Sequence, residues 1–238
     1  MNGLQAMASG QPAQPDIGET LARAAYRELR ADIIKGARAP GERLRIEKLK
    51  AIYGFGPTPL REALQMLAAD QLVLVEGNRG FSVAQLDLDE FKDLNVARTV
   101  VEHAALRLSI AKGDDAWEAG IVAAGYLMGK EDAALSATAD RVTDRWEAAN
   151  TAFHTAMVAA CGSRWLLNVR AGLHDQCARY RRASVYQKRG ERDLGAEHRA
   201  MAEAVLARDA DLACDLTERH FALTASSLFE APPAGRNA

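Results

Sequence analysis

Residues Gly56-Pro-Thr-Pro-Leu-Arg-Glu-Ala-Leu64 constrain the fold more than any other stretch of this sequence. Proline is excluded from helix interiors, but its fixed φ and missing N–H suit the first turn of a helix. Pro59 therefore marks a helix start, with Thr58 as the expected N-cap just before it. The helix that follows carries Leu60, Ala63, Leu64 and Leu67 on one face and Arg61 and Gln65 on another. Upstream lies a short amphipathic stretch, Ile46-Glu-Lys-Leu49-Lys-Ala-Ile52, closed by a turn with Gly54 and Gly56. Downstream come Leu72-Val-Leu-Val75, a Gly77-Asn-Arg-Gly80 turn and Phe81-Ser-Val83. Two helices, a glycine-containing turn and a small hairpin predict a winged helix-turn-helix, a unit whose second helix enters the major groove of DNA.

Charge supports that expectation through its distribution, not its total. The net charge is −2, yet residues 21–61 hold ten Lys/Arg against four Asp/Glu, whereas residues 85–238 hold 19 against 23. Phosphate contacts require local positive charge, and the excess coincides with the helix-turn-helix pattern. A hydrophobic content of 48% with few aromatics and abundant Ala and Leu suggests a mostly helical soluble protein. No uncharged apolar run approaches the roughly 20 residues of a membrane span. The opening segment, rich in Gln, Ala, Pro and Gly, has neither a basic start nor an apolar core. It is expected to be a disordered tail over residues 1–17, not a signal peptide, and the chain to be cytoplasmic. Cys161, Cys177 and Cys214 show no Cys-x-x-Cys pairing and sit in helical patterns, which reads as buried structural thiols.

A first helix is expected over about 18–36, with Leu21, Ala25, Leu29, Ile33 and Ile34 at helical spacing, ended by Gly36 and Pro40-Gly41. The winged domain runs over 18–84. Asp87-Leu-Asp-Glu places carboxylates at the positive end of a new helix. After it the strand signal disappears. Helices are expected at about 87–112, 114–130, 138–161, 164–187, 191–207 and 209–229, forming an all-helical domain over 87–230, with a tail at 231–238. The fold class is thus mainly α: an N-terminal winged helix-turn-helix followed by a C-terminal all-helical antiparallel bundle.

The winged segment, from Tyr26-Arg-Glu-Leu-Arg through Pro40-Gly-Glu-Arg-Leu to Pro59-Leu-Arg-Glu-Ala-Leu and Gly80-Phe, resembles the GntR family of bacterial transcription regulators. The helical remainder resembles the FCD effector domain of that family's FadR-type branch. Its marks are Ala97-Arg98 followed by Glu102, then Phe153-His154, Glu197-His198 and His220. Asp115-Ala-Trp117-Glu-Ala, His154-Thr-Ala-Met-Val-Ala-Ala-Cys-Gly-Ser163 and Ala178-Arg-Tyr-Arg are nearest to the family's repressors of glutarate utilisation. Two positions depart from the family pattern. Pro57 and Glu47 stand where many members carry Arg, and neither can clamp guanine or phosphate as Arg does. The family's usual operator sequence is therefore not expected, and Arg45 offers partial compensation.

Asn150 and His154 are spaced i, i+4 and share a helix face. His198 and His220 lie about ten residues either side of a turn near Arg208-Asp209, or about 15 Å along each helix. An antiparallel hairpin brings both rings to one level, so three imidazoles and one oxygen ligand can converge between helices around a divalent metal such as Zn, Ni or Mn. The resemblance implies that Arg98 faces the bundle interior, where it could clamp a carboxylate beside the metal; Arg179 is the second candidate. His103 and His174 have no comparable spacing; surface or core packing is expected for them, with lining of the pocket the alternative for His174.

These features predict a DNA-binding transcription regulator, a repressor acting as a homodimer on an inverted-repeat operator in double-stranded DNA, released by a small organic acid such as glutarate. Thr58, Arg61 and Gln65 are expected to face the groove, Arg45 and Lys48 to meet phosphates, and Arg79 and Gly80 to shape the wing. Two alternatives remain at this stage. One is a metal-dependent enzyme activating water for attack on a small carboxylate. The other is a ligand-free DNA-binding protein with structural histidines. No Asp or Glu stands in the general-base relation of a zincin motif, and an enzyme leaves the winged segment unexplained, so the expectation is a non-enzyme.

Overall fold

The computed structural model describes residues 18–77, 80–138, 142–184 and 192–229. The expected tails therefore lie outside the described residues, as does Arg79. The chain divides after Gln85 into two compact units.

The first unit opens with α1 (Leu21–Lys35), capped by Thr20, whose Oγ1 accepts from the Arg23 N–H at 3.2 Å, and ended by Gly36 at φ 79°. Helix α2 (Ile46–Tyr53) ends at Gly54, again left-handed at φ 74°. Helix α3 spans Pro57–Ala69, two residues earlier than Pro59 implied. Pro57 takes the first helical position, so the cap is Gly56 and Thr58 is not an N-cap but an exposed residue of the first turn. Pro57 and Pro59 both fit a first turn whose N–H groups need no helical partner, and the earlier of the pair sets the start.

Strands β1 (Val73–Val75) and β2 (Phe81–Val83) pair antiparallel with Val73 opposite Val83. The Leu44 N–H donates to the Phe81 carbonyl at 2.8 Å and the Val83 N–H to the Glu42 carbonyl at 2.9 Å, so the segment before α2 lines the hairpin's free edge. The core joins Ala25, Leu29 and Ile33 of α1, Leu49 and Tyr53 of α2, Leu60, Ala63, Leu64 and Leu67 of α3, and Val73 and Val83 of the hairpin. Each fully buried leucine contributes about 1.5–3 kcal/mol.

The second unit is helical throughout its described residues: α4 (Leu88–Lys112), α5 (Asp115–Thr138), α6 (Asp144–Val158) with a 3₁₀ turn at Ala159–Cys161, α7 (Arg164–Ser184), α8 (Leu194–Leu206) and α9 (Ala210–Phe229). The Asp87 side chain caps α4 by accepting from the N–H groups of Asp89 and Glu90. Helix α5 packs on α6 and α8, α4 packs on α7 and α9, and α8 packs on α9. Helix α5 continues two turns past its expected end near 130, and Asp132 in that extension is still buried. The core runs through Leu106, Ile121, Met128, Trp146, Phe153, Met157, Val205 and Cys214. All three cysteines are buried and free. No helix among the described residues is long and apolar enough to cross a membrane.

Candidate functional site

Two regions collect the residues singled out by the sequence. In the first unit, α3 buries Leu60, Ala63, Leu64 and Leu67, and its period turns Pro57, Thr58, Arg61 and Gln65 outward into one exposed stripe. Arg45 at the start of α2 and Lys48 on it are exposed, as is Glu47 between them. Gly80 sits at φ 93° where the hairpin turns into β2, a conformation that side chains disfavour. Not all of the positive charge here is available. Arg38 donates to the Tyr53 hydroxyl at 3.1 Å and to Glu42 at 3.0 Å, while Tyr53 donates to Asp32. Tyr53 therefore ties α2 to α1, and Arg38 is engaged in holding that tyrosine.

The second region is buried. His154 on α6, His198 on α8 and His220 on α9 each offer a ring nitrogen, and the three nitrogens lie within 4.8 Å of one another. The ring centroids are 5.0 Å apart for His198 and His220, 5.3 Å for His154 and His220, and 5.7 Å for His154 and His198. Burial pushes His154 well below the ordinary imidazole value, with neighbouring imidazoles acting the same way. Burial also lowers His220, to about 3, although Glu197 pulls the other way. His154 and His220 are thus neutral nitrogen donors, as metal coordination requires.

The polar atoms left over point to the same chemistry. His154 Nδ1, His198 Nε2 and both amide atoms of Asn150 are buried with no hydrogen-bond partner. Buried polar groups are paired in the great majority of cases, so four orphans on three neighbouring side chains call for a ligand. The remote ring nitrogens, by contrast, are held. Asp132 Oδ2 lies 2.7 Å from His198 Nδ1, and Glu197 Oε2 lies 2.8 Å from His220 Nδ1. Burial alone would raise Glu197, but Arg192 and His220 hold its carboxyl down at about 2. Three imidazoles, one amide oxygen and two supporting carboxylates fit a divalent cation of the Zn, Ni or Mn type.

Beside the cluster is a small cavity walled by Arg98, Glu102, His154, Arg170, His174 and Phe221. Glu102 is one helical turn from Arg98, but it pairs instead with Arg170, Nε to Oε2 at 2.8 Å and Nη2 to Oε1 at 2.9 Å. Arg170 also donates to the His154 carbonyl. Arg98 is left on the wall, buried, with its guanidinium carbon 3.2 Å from the Phe221 ring centroid. Burial pulls it below its ordinary value, and the Cys177 thiol is its hydrogen-bonding neighbour. No carboxylate among the described residues pairs with it. His174 lines this cavity after all, within 3.2 Å of the Thr151 hydroxyl and pushed well down by burial. His103 instead bonds the Cys214 carbonyl. Arg179 is buried near Tyr180 and Glu90, and the cavity wall holds Arg170 in its place.

Asp132, Arg192 and Arg170 were not singled out by the sequence, and Glu197 stood there only as part of the Glu197-His198 mark, with no role of its own. Asp132 lies past the expected end of α5, and Arg170 finds its partner 68 residues away. Only Glu197, adjacent to His198, carried a local signal.

Comparison with known proteins agrees with this two-part layout. A model described as bacterial regulatory proteins of the gntR family matches residues 21–83, and one described as the FCD domain matches residues 93–223. The chain is 39% identical over 214 residues, 88% of its length and 96% of the relative's, to the HTH-type transcriptional repressor GlaR of Escherichia coli. It is 36% identical over 220 residues, 92% of its length and 90% of the relative's, to the HTH-type transcriptional regulator BphR of Paraburkholderia xenovorans. Its fold is similar to that of McbR/YncC of E. coli, with a TM-score of 0.73 at 18% identity, covering 89% of this chain and 98% of that one.

Proposed function

From the premise that this chain belongs to the gntR family of bacterial transcription regulators and carries an FCD domain, we propose that it is a repressor whose hold on DNA is released by a small dicarboxylate, with glutarate the leading candidate. Repression is the role named for its GlaR relative. The observation that carries the effector reading is a buried guanidinium without a carboxylate, Arg98, beside a histidine cluster with orphaned donor atoms. A buried charge is tolerated when it is paired, so the missing counter-charge is a ligand's. A divalent cation held by His154, His198, His220 and Asn150 would supply Lewis acidity and an open position for one carboxylate. The planar fork of Arg98 suits the other, two N–H groups to two oxygens.

On the DNA side, Thr58, Arg61 and Gln65 are the proposed groove-facing residues, Arg45 and Lys48 the phosphate contacts, and Gly80 with Arg79 the wing tip. A homodimer on an inverted repeat multiplies the few contacts of one winged unit. Exposed Val96 and Val100 on α4 and Trp165 and Val169 on the adjoining α7 offer apolar surface for self-association. Helix α4 carries Arg98 and begins five residues after β2, so a ligand that prefers one dimer geometry biases the winged units through the chain itself. A coupling of about 1–3 kcal/mol is expected.

Both carboxylates beside the cluster are engaged with remote ring nitrogens, which suits orientation of ligands and not general-base chemistry.

Band-shift titration with glutarate and related diacids, with Zn²⁺, Ni²⁺ or Mn²⁺ supplied, tests the reading. Release is expected in the wild type and little or none in Arg98→Ala. The reading is wrong if no small carboxylate changes either DNA binding or thermal stability.

A further inference from the structure

Helix α6 carries Trp146, Asn150 and His154 at successive i, i+4 positions, and all three are buried. The Trp146 indole does not face the histidines as a packing group alone. Its Nε1–H donates to Asp132 Oδ1 at 2.9 Å, and the other oxygen of that carboxylate, Oδ2, lies 2.7 Å from His198 Nδ1. Indole, carboxylate and imidazole come from α6, α5 and α8 respectively, and their side chains are almost fully shielded from solvent. A carboxylate only accepts, so the Nδ1 that meets it carries the hydrogen. In neutral imidazole the lone pair then sits on Nε2, the very atom that is buried without a partner. A histidine with only a packing role would have both nitrogens satisfied.

We propose that Asp132, held in place by Trp146, is a positioning residue that locks His198 in the Nδ1–H tautomer so that Nε2 is the open donor of the histidine cluster. This rests on the metal-site reading given above and extends it to a helix, α5, that contributes no ligand. Glu197 plays the matching part for His220, gripped by Arg192 at 2.7 Å through both carboxylate oxygens, whereas no carboxylate accepts from His154 among the described residues.

The indole makes the inference sharply testable. In Asp132→Asn, the side chain keeps its shape, but Trp146 can only donate. It therefore holds the amide oxygen toward Nε1–H and leaves the NH₂ group against His198 Nδ1. That arrangement requires Nδ1 to accept, which moves the imidazole hydrogen to Nε2 and removes the lone pair from the centre of the cluster. Pairing Asp132→Asn with Trp146→Phe removes the donor that dictates the amide's orientation. The amide can then turn its oxygen back to Nδ1.

Two measurements decide it. The first is ¹⁵N-detected imidazole NMR of the metal-free protein, which reads the His198 tautomer directly. Nδ1–H is expected in the wild type, Nε2–H in Asp132→Asn, and a return toward Nδ1–H in the double variant. The second is Zn²⁺ affinity by competition with a chromophoric chelator. A loss of about 10–100-fold is expected for Asp132→Asn, with part of it regained in the double variant. Nε2–H in the wild type overturns the inference without any variant. So does an unchanged tautomer in a folded Asp132→Asn protein, or an affinity loss that the double variant does not relieve. If the wild type takes up no metal, the metal reading fails while the tautomer measurement still decides the inference.

Discussion

The winged unit and the helical unit handle polar chemistry in opposite ways. In the first, Ser82 is the one buried polar side chain apart from the Tyr53 phenol among the described residues, and the residues proposed to meet DNA are exposed on α2 and α3. In the second, Arg98, Glu102, Asp132, Glu147, Asn150, His154, Arg170, Arg179, Arg181, His198 and His220 are all buried. The contrast fits the recognition proposed for each. A polyanion is reached from the surface, and its phosphates and base edges are met by side chains with no structural duty. A small ligand is held by excluding water, which strengthens every electrostatic contact but obliges each charge to be matched. Stability and recognition are therefore separable in the winged unit and entangled in the helical one, and three experiments can break that statement.

The largest effect is expected from acid. All five histidines and all three tryptophans lie in the helical unit, so tryptophan fluorescence of the metal-free protein reports on the unit that titrates. His220 is held neutral down to about 3, and His154 and His174 are also pushed well below the ordinary value. In the unfolded chain each takes up a proton near pH 6.5. Below that pH the unfolded state binds more protons, so stability is fully present above about 6.5 and is lost as pH falls toward 3. Each such histidine contributes up to about 1.4 kcal/mol per pH unit. Glu197, held at about 2, adds its own loss once pH drops under its ordinary value of 4.5. A urea midpoint that is flat between pH 7 and 5 would refute the assignment of these rings as buried and neutral.

The second experiment sets one kind of interaction against itself in the two units. Glu102→Ala strands the Arg170 guanidinium, whose side chain is only 7% exposed, and should cost the helical unit about 3–5 kcal/mol. The Arg27–Glu19 pair of the winged unit has an arginine that is 44% exposed, and Arg27→Ala should cost under about 1 kcal/mol. Denaturant unfolding of both variants, followed by fluorescence and by circular dichroism, measures the difference. Equal costs would mean that burial does not distinguish the two units.

What could be read from the sequence divides along the same line. The winged unit was legible because its signals are local: glycines at positive φ, prolines in a first turn, and a leucine stripe of helical period. Its one error, Thr58 as a cap, was a local ambiguity between two prolines. In the helical unit, the meeting of His198 and His220 followed from equal distances to a turn, since helical rise converts residue number into depth. The partners of those histidines did not follow. Glu102 had a choice between Arg98 one turn away and Arg170 68 residues away, and packing of α4 against α7 decided it. Asp132 was hidden because Lys130-Glu-Asp132 resembles a solvated helix end, and only the inward face of a longer α5 makes it a buried acceptor.

The smallest effect on stability, and the cleanest separation, belongs to Arg61. Its side chain projects from the exposed stripe of α3, opposite Leu60 and Leu64, and no hydrogen bond or ion pair to it is found among the described residues. Arg61→Ala should therefore change unfolding by less than about 0.5 kcal/mol. Its loss on DNA should be of a different order, about 1–3 kcal/mol per half-site if the guanidinium reads a guanine edge. Lys48→Ala gives the contrast within the same unit. A phosphate contact weakens binding to all sequences alike and lowers the salt slope by about 1, whereas a base contact leaves the slope and relaxes sequence preference. Operator binding measured across a salt series, with matched and scrambled duplexes, resolves the two. If Arg61→Ala binds operator as tightly as the wild type at the same salt, the exposed stripe of α3 is not the reading surface. If it instead destabilises the protein, function and fold are as entangled in the winged unit as in the helical one.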